Sequence, residues 1–182
     1  MNTADEARDL LVNLGAPPSL VTHTRLVEEA AEVILSHLQR LRVPHDADFV
    51  RIGVVIHDAG KIIHPHELHR GGAEHEAAGE KLLLAHGVDP ALARCCRSHA
   101  QWANMPCSLE ELLVALADTL WKGKRDDDLE KRVTEGTAER VEKGFWDLFV
   151  DLDTCFESAA ADGTRRLLQS QANERAGPGE DP

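Results

Sequence analysis

Ten histidines in a chain without tyrosine are the first sign of chemistry in this sequence. Five stretches of helical patterning each turn a His or an Asp toward their apolar side. His23 precedes Val27, Ala30 and Ile34 by four, seven and eleven residues, so it shares their face. His57-Asp58 closes the apolar run Ile52-Gly53-Val54-Val55-Ile56. His75 lies on a stripe with Ala78, Gly79 and Leu82, and His99 on one with Leu92, Cys95 and Cys96. Asp118 shares a face with Val114, Ala115 and Trp121. An isolated inward carboxylate is costly unless it is paired or bound to a cation. Four inward His and two inward Asp cannot easily satisfy one another, and their natural common partner is one or two metal ions. The donors are all nitrogen and oxygen, a set that suits Mn, Fe, Co, Ni or Zn.

The elements that must position these residues are helical nearly throughout. Val27, Ala30, Ala31, Ile34, Leu38 and Leu41 recur at three- and four-residue steps, and Pro17-Pro18-Ser19 opens that helix with Ser19 as candidate N-cap. A second helix begins near Asp46 and runs through Phe49, Ile52 and Ile56 toward Gly60. Its β-branched centre also reads as a buried strand, but no other strand-like run exists to pair with it. A loop continues through Pro65 to Arg70. A third helix spans about Gly72 to His86 with Gly87 beyond its end. Asp89-Pro90 opens a fourth. Ser108 with Glu111 forms a capping box for a fifth, through Leu112, Leu116 and Thr119. Asp126-Asp127-Asp128 caps a polar helix to about Lys143. A last apolar stripe holds Phe145, Leu148, Phe149, Leu152, Phe156 and Ala159.

Composition limits the partners. Twenty Lys and Arg against thirty-two Asp and Glu leave a net charge of −12. Long nucleic acid and anionic membrane carry the same sign and are disfavoured. No apolar run approaches the roughly 20 residues of a spanning helix. The polar, acidic start Met1-Asn2-Thr3-Ala4-Asp5-Glu6 does not read as a signal peptide. Four cysteines without a CxxC pair indicate reduced thiols, packed in helices, in a cytoplasmic setting.

His23, then His57-Asp58 within His-Asp-Ala-Gly-Lys, then His75, His99 and Asp118 resemble the H…HD…H…H…D pattern of the HD-domain superfamily of metal-dependent phosphohydrolases. The resemblance covers about residues 18–125. It implies an all-α fold in which His23, His57, Asp58 and Asp118 hold one metal. His75 and His99 then resemble the additional ligands of members with two metals, with Asp58 bridging and acting in catalysis. Lys61, expected to act in catalysis beside Asp58, resembles the lysine that contacts substrate phosphate. The sequence lacks the GYP element of the cyclic-di-GMP phosphodiesterase branch and the basic regions of the alarmone synthetase/hydrolase branch.

The resulting expectation is an all-α, single HD-domain-like helical bundle with extra C-terminal helices. Residues 1–17 form an N-terminal helix or lead-in, 18–125 the metal-binding domain, 126–170 further helices packed on it, and 171–182 a disordered tail. The activity expected is hydrolysis of a small phosphorylated molecule, in first place a nucleotide, through water activated by two divalent transition-metal ions, with Fe or Mn favoured. Candidate substrate contacts are Lys61, His69, Arg70, Trp102, Lys122 and Arg125. The alternatives are a mixed-valent di-iron oxygenase acting on an organophosphonate or polyol, and a non-catalytic metal-dependent nucleotide sensor. A monomer or a homodimer is expected.

Overall fold

Proline, serine and aspartate mark where the chain enters its helices. The computed structural model describes residues 1–175 and shows no strand among them. The helices are α1 (Ala4–Asn13), α2 (Pro18–Arg40), α3 (Ala47–Ile56), α4 (Glu74–Ala85), α5 (Pro90–Ala93), α6 (Cys95–Gln101), α7 (Leu109–Leu120), α8 (Asp127–Arg140), α9 (Phe145–Ala161) and α10 (Gly163–Arg175). Two short 3-10 turns, Ala59–Ile62 and Pro65–Leu68, join α3 to α4. No helix among the described residues is long and apolar enough to cross a membrane.

Helix α7 is the axis of the bundle. Leu112 to Ala117 are all buried, as are Leu109 and Leu120, so the helix is apolar on every side. It packs against α2, α3, α6 and α8, while α9 and α10 lean on α2. The Ser108–Glu111 capping box closes its N-terminus. Glu111 also accepts from Arg94 at 2.8 Å, and Glu110 accepts two hydrogen bonds from Arg140 at 2.6 and 2.8 Å. These half-buried guanidinium pairs fix the start of α7, and with it the direction in which its other end points.

Several boundaries differ from the sequence reading. Pro17 is the N-cap of α2 and Pro18 its first residue, so Ser19 lies inside the helix rather than capping it. The β-branched run in α3 is helical, because an isolated strand would leave its backbone groups unpaired. That helix ends at Ile56, not near Gly60: His57 is its C-cap, and a tighter 3-10 turn follows. The fourth expected helix breaks at Arg94 into α5 and α6. In α9, Leu148, Leu152, Phe156 and Ala159 are buried, whereas Phe149 is exposed and stacks with Phe145 and Trp146 at the surface. Helix α10 runs past Gln171 to Arg175, and the rest of the expected tail lies outside the described residues.

Two glycine contacts bring the site-bearing segments together. A Cβ on Gly60 would lie 1.8 Å from the carbonyl oxygen of His75, so the turn after Asp58 touches the backbone of α4. A Cβ on Gly163 would lie 2.2 Å from the amide nitrogen of Gly123, itself at φ +77°, which lets α10 start against the end of α7. Gly60→Ala forces backbone apart at the first contact. It should cost about 3 kcal/mol, the upper end of ordinary overpacking. Urea unfolding monitored by circular dichroism measures it, and a midpoint equal to wild type would contradict the contact.

Candidate metal centre

Five elements deliver six side chains to one place. His23 comes from the second turn of α2, His57 and Asp58 from the end of α3, and His75 from the first turn of α4. His99 comes from α6 and Asp118 from the last turn of α7. Asp58 stands at the centre, 2% exposed. Its Oδ2 lies 3.1 Å from His23 Nε2 and 3.5 Å from His57 Nε2. Its Oδ1 lies 3.2 Å from His75 Nε2 and 3.8 Å from His99 Nε2. Each carboxylate oxygen therefore faces its own pair of imidazoles. Asp118 Oδ1 joins the first pair, 3.5 Å from His57 Nε2 and 3.7 Å from His23 Nε2.

Three of the four imidazoles are held by their other nitrogen. His57 Nδ1 donates to the carbonyl of Val54 at 2.7 Å, and His99 Nδ1 to that of Cys95 at 3.1 Å. His75 Nδ1 donates to the buried carboxylate of Glu67 at 2.5 Å. A carbonyl oxygen or a carboxylate accepts, so in its neutral form each ring turns a bare Nε2 lone pair toward Asp58. His75 Nε2 is buried without a hydrogen-bond partner among the described residues. Lone pairs aimed at a carboxylate repel it, and a cation between them reverses the sign. Fixing a ring through Nδ1 is also the usual means of orienting a metal-ligating histidine. The donor set fits a divalent metal.

The charges follow from these contacts. Burial lowers the proton affinity of His57 and His75, but without a cation between them the carboxylates of Asp58, Asp118 and Glu67 outweigh it and raise both rings above their ordinary value. Burial likewise opposes ionisation of Asp58, but the charge on His57 and the hydrogen bonds of His23 and His75 then outweigh it and hold the carboxyl well below the usual range. Burial acts the same way on Asp118, and the hydrogen bond and charge of His57, with Lys122, pull it down. Burial and the neighbouring His57 depress His99 to about 4, so it stays a neutral ligand. Burial opposes ionisation of Glu67, but the His75 ring and the amides of His75 and Glu74 donate to it and lower it to about 2. Asp118 also sits at the negative end of α7, where a carboxylate is disfavoured without a cation nearby.

Above the cluster opens a cleft of about 520 Å³. Lys61, His69 and Lys122 line it, together with Trp121, whose ring meets His23 edge-on at 4.9 Å. Lys61 Nζ is 2.5 Å from Asp58 Oδ2, and Lys122 Nζ is 3.7 Å from Asp118 Oδ2. Leu68 from the second 3-10 turn and Leu167, Ser170 and Gln171 from α10 complete the wall.

The family model of the HD domain matches residues 20–121, which include all six clustered residues. The chain belongs to the HD-domain family. The HD domain is a fold of metal-dependent hydrolases, and in this chain it holds His and Asp residues clustered closely enough to hold a metal ion. A curated tRNA (cytidine(56)-2'-O)-methyltransferase of Thermoplasma volcanium is also similar, at 26% identity over a 157-residue alignment covering 74% of this chain. That alignment covers 43% of the relative, so this HD-domain chain spans less than half the length of the methyltransferase it matches. No solved structure matches the chain.

Three expected substrate contacts lie away from the HD-domain cleft. Trp102 packs against the core, with the Arg132 guanidinium over its ring at 5.7 Å. Arg125 is bound by Glu130 at 2.6 and 2.7 Å and by Asp153 at 2.6 Å, and it lines a separate cavity beside Phe149. Arg70 is exposed and does not line the cleft. Cys95 and Cys96 are buried free thiols that pack in the helices, with Cys96 Sγ donating to the Ile56 carbonyl at 3.2 Å. Sequence reasoning missed Glu67, Trp121 and the α10 wall. No periodic signal marks Glu67, which sits in the His-rich loop eight residues before His75.

Glu67→Gln keeps the shape of this partner and removes its charge. Metal affinity should fall tenfold to a hundredfold, the usual effect of losing a carboxylate behind a ligating histidine. Competition with a chromophoric chelator measures it, and an unchanged affinity would detach Glu67 from the centre.

Proposed function

We propose that this HD-domain chain is a phosphohydrolase that acts on a small phosphorylated molecule, in first place a nucleotide, with two divalent transition-metal ions. The observation that carries this reading is the division of Asp58, one oxygen toward His23 and His57 and the other toward His75 and His99. His23, His57, Asp58 and Asp118 would hold one ion, and Asp58, His75 and His99 the other. Fe and Mn are favoured, and Zn, Co or Ni suit the same nitrogen and oxygen donors. When bound, such ions lower the pKa of water toward neutrality and neutralise phosphate charge during an in-line displacement.

The residues of the chain supply the rest. Lys61 and Lys122 place two ammonium groups in the lining of the cleft, where they attract phosphate oxygens as point charges. Lys61 sits close enough to exchange its bond to Asp58 for one to a phosphate held at the cluster. Trp121, Leu68 and Leu167 offer apolar surface to the organic part of the substrate, and Ser170 and Gln171 offer hydrogen bonds. A cleft of about 520 Å³ accommodates a small ligand and not a nucleic-acid duplex. The charge of −12 works against long DNA or RNA in the same direction. The four free thiols fit a reducing, cytoplasmic compartment, and a monomer or homodimer is expected.

The four imidazoles against two carboxylates also suit a mixed-valent di-iron oxygenase. Oxygen uptake with an organophosphonate or polyol, in place of phosphate release, would select that reading.

The test uses purified protein with its metals, a panel of nucleotides and sugar phosphates, and a chelator. Phosphate or nucleoside release should stop on chelation, and Asp58→Ala should lose both metal and activity. Lys61→Ala should keep its metal and lose about tenfold to a hundredfold in kcat/KM, or about 1.4–2.7 kcal/mol of transition-state stabilisation. A metal-loaded enzyme inactive on the whole panel would overturn the phosphohydrolase reading. A Lys61→Ala enzyme as active as wild type would remove the role of that lysine alone.

A further inference from the structure

A second group of donors lies outside the cluster around Asp58. His64 Nδ1 is 3.8 Å from Glu74 Oε2, and His66 Nε2 is 3.7 Å from the same oxygen. One ligand atom from each residue falls within 4.8 Å of the others. These gaps are too wide for hydrogen bonds. They are close to the edges of a coordination polyhedron, because bonds of about 2.0–2.2 Å in a tetrahedral site separate ligand atoms by roughly 3.3–3.6 Å. A shift of a few tenths of an ångström would close the two gaps to Glu74, and the imidazole nitrogens lie within 4.8 Å of each other.

The backbone beneath the group is fixed. His64 N–H donates to Gly60 O at 3.0 Å, and Glu67 N–H donates to His64 O at 3.0 Å. Pro65 between the two histidines opens the 3-10 turn that sets their rings 5.9 Å apart. Glu74 is the first residue of α4, and its N–H donates to the buried Glu67 carboxylate at 3.2 Å. The ligands thus stand on hydrogen-bonded backbone, with the His66 and Glu74 side chains exposed and open to solvent. Two imidazoles with one carboxylate form a donor set for Zn²⁺ and its neighbours rather than for Mg²⁺ or Ca²⁺, which prefer oxygen.

We propose that His64, His66 and Glu74 form a separate, peripheral site for one divalent transition-metal cation such as Zn²⁺. It shares no ligand with the cluster at Asp58 and stands whether or not that cluster hydrolyses phosphate. The ion joins the loop that carries Leu68 and His69 to the first turn of α4. That turn also carries His75, and the Glu67 carboxylate lies between the two sites, 3.8 Å from His66 Nε2 and 2.5 Å from His75 Nδ1. Filling the peripheral site stiffens one wall of the cleft.

The experiment is equilibrium dialysis against Zn²⁺ with elemental analysis of the full chain, after stripping and reloading. Wild type is compared with Asp58→Ala, with the double variant His64→Ala/His66→Ala, and with Glu74→Gln as a milder change. The double variant should bind one ion fewer per chain than wild type. Asp58→Ala should lose the ions of the central cluster and keep the peripheral one. Glu74→Gln should hold the peripheral ion at least tenfold more weakly. Circular dichroism checks that each variant is folded. A folded double variant that binds as much Zn²⁺ as wild type would overturn the site. So would an Asp58→Ala protein that binds none, since the peripheral donors would then hold nothing on their own.

Discussion

A carboxylate 2% exposed and ringed by four imidazole nitrogens governs this fold. Asp58 stays charged there only with positive charge beside it, from charged imidazoles and the Lys61 ammonium or from a metal. The backbone worsens the demand. Asp58 follows the C-terminus of α3, and Asp118 occupies the last turn of α7, so two negative helix ends meet at the same point. An apolar interior would expel such a group, at a cost beyond that of a typical single contact. Here the surroundings are built to keep it. Gly60 against the His75 carbonyl and Gly79 against Gly60 bring α4 close enough for His75 to face Oδ1. The all-round apolar α7 ties the opposite wall to the core, which fixes Asp118 and Lys122 relative to α2 and α3.

Much of this was legible in the order of residues, for a physical reason. Helical periodicity reports which face a residue shares with its apolar neighbours. His23, His75, His99 and Asp118 each follow that rule, and the structure brings all four beside His57 and Asp58. Periodicity says nothing of how a chain turns between helices. The 3-10 turn at Ala59–Ile62, the break at Arg94 and the placement of Glu67 were therefore invisible. A glutamate in a polar loop reads as solvated until the amides of Glu74 and His75 are seen to close on it. Adjacency along the chain misled in the opposite way. Trp102 follows His99 by three residues, but the 3-10 turn at Trp102–Asn104 carries it toward Arg132. Arg125 follows Asp118 by seven, but two carboxylates hold it elsewhere.

The remaining helices answer a different problem. The family pattern ends at residue 121, just past α7, and Lys122, Leu167, Ser170 and Gln171 of the cleft lining lie beyond it. Helix α10 supplies the last three as one wall of the cleft. The helix is polar on most of its surface and has little apolar area with which to dock, so its attachment rests on specific contacts. Arg166 is 2% exposed and donates to the Ala159 carbonyl at 2.7 Å and the Trp121 carbonyl at 3.5 Å, and its Nε lies 3.5 Å from Glu29. Gly163 lies on Gly123 where no side chain would fit. Both contacts grip the end of α7 within five residues of Asp118. The wall is thereby registered to the cluster itself rather than to the distant core, and Leu167, Ser170 and Gln171 follow directly from it along α10. A buried guanidinium is an expensive anchor, since its charge is taken out of water and met by two carbonyls and the half-exposed Glu29. Its use here is intelligible because an apolar anchor would fix how deeply α10 is buried but not its rotation. Rotation decides whether Leu167 or a neighbouring residue faces the cleft, and directional hydrogen bonds to two carbonyls set it.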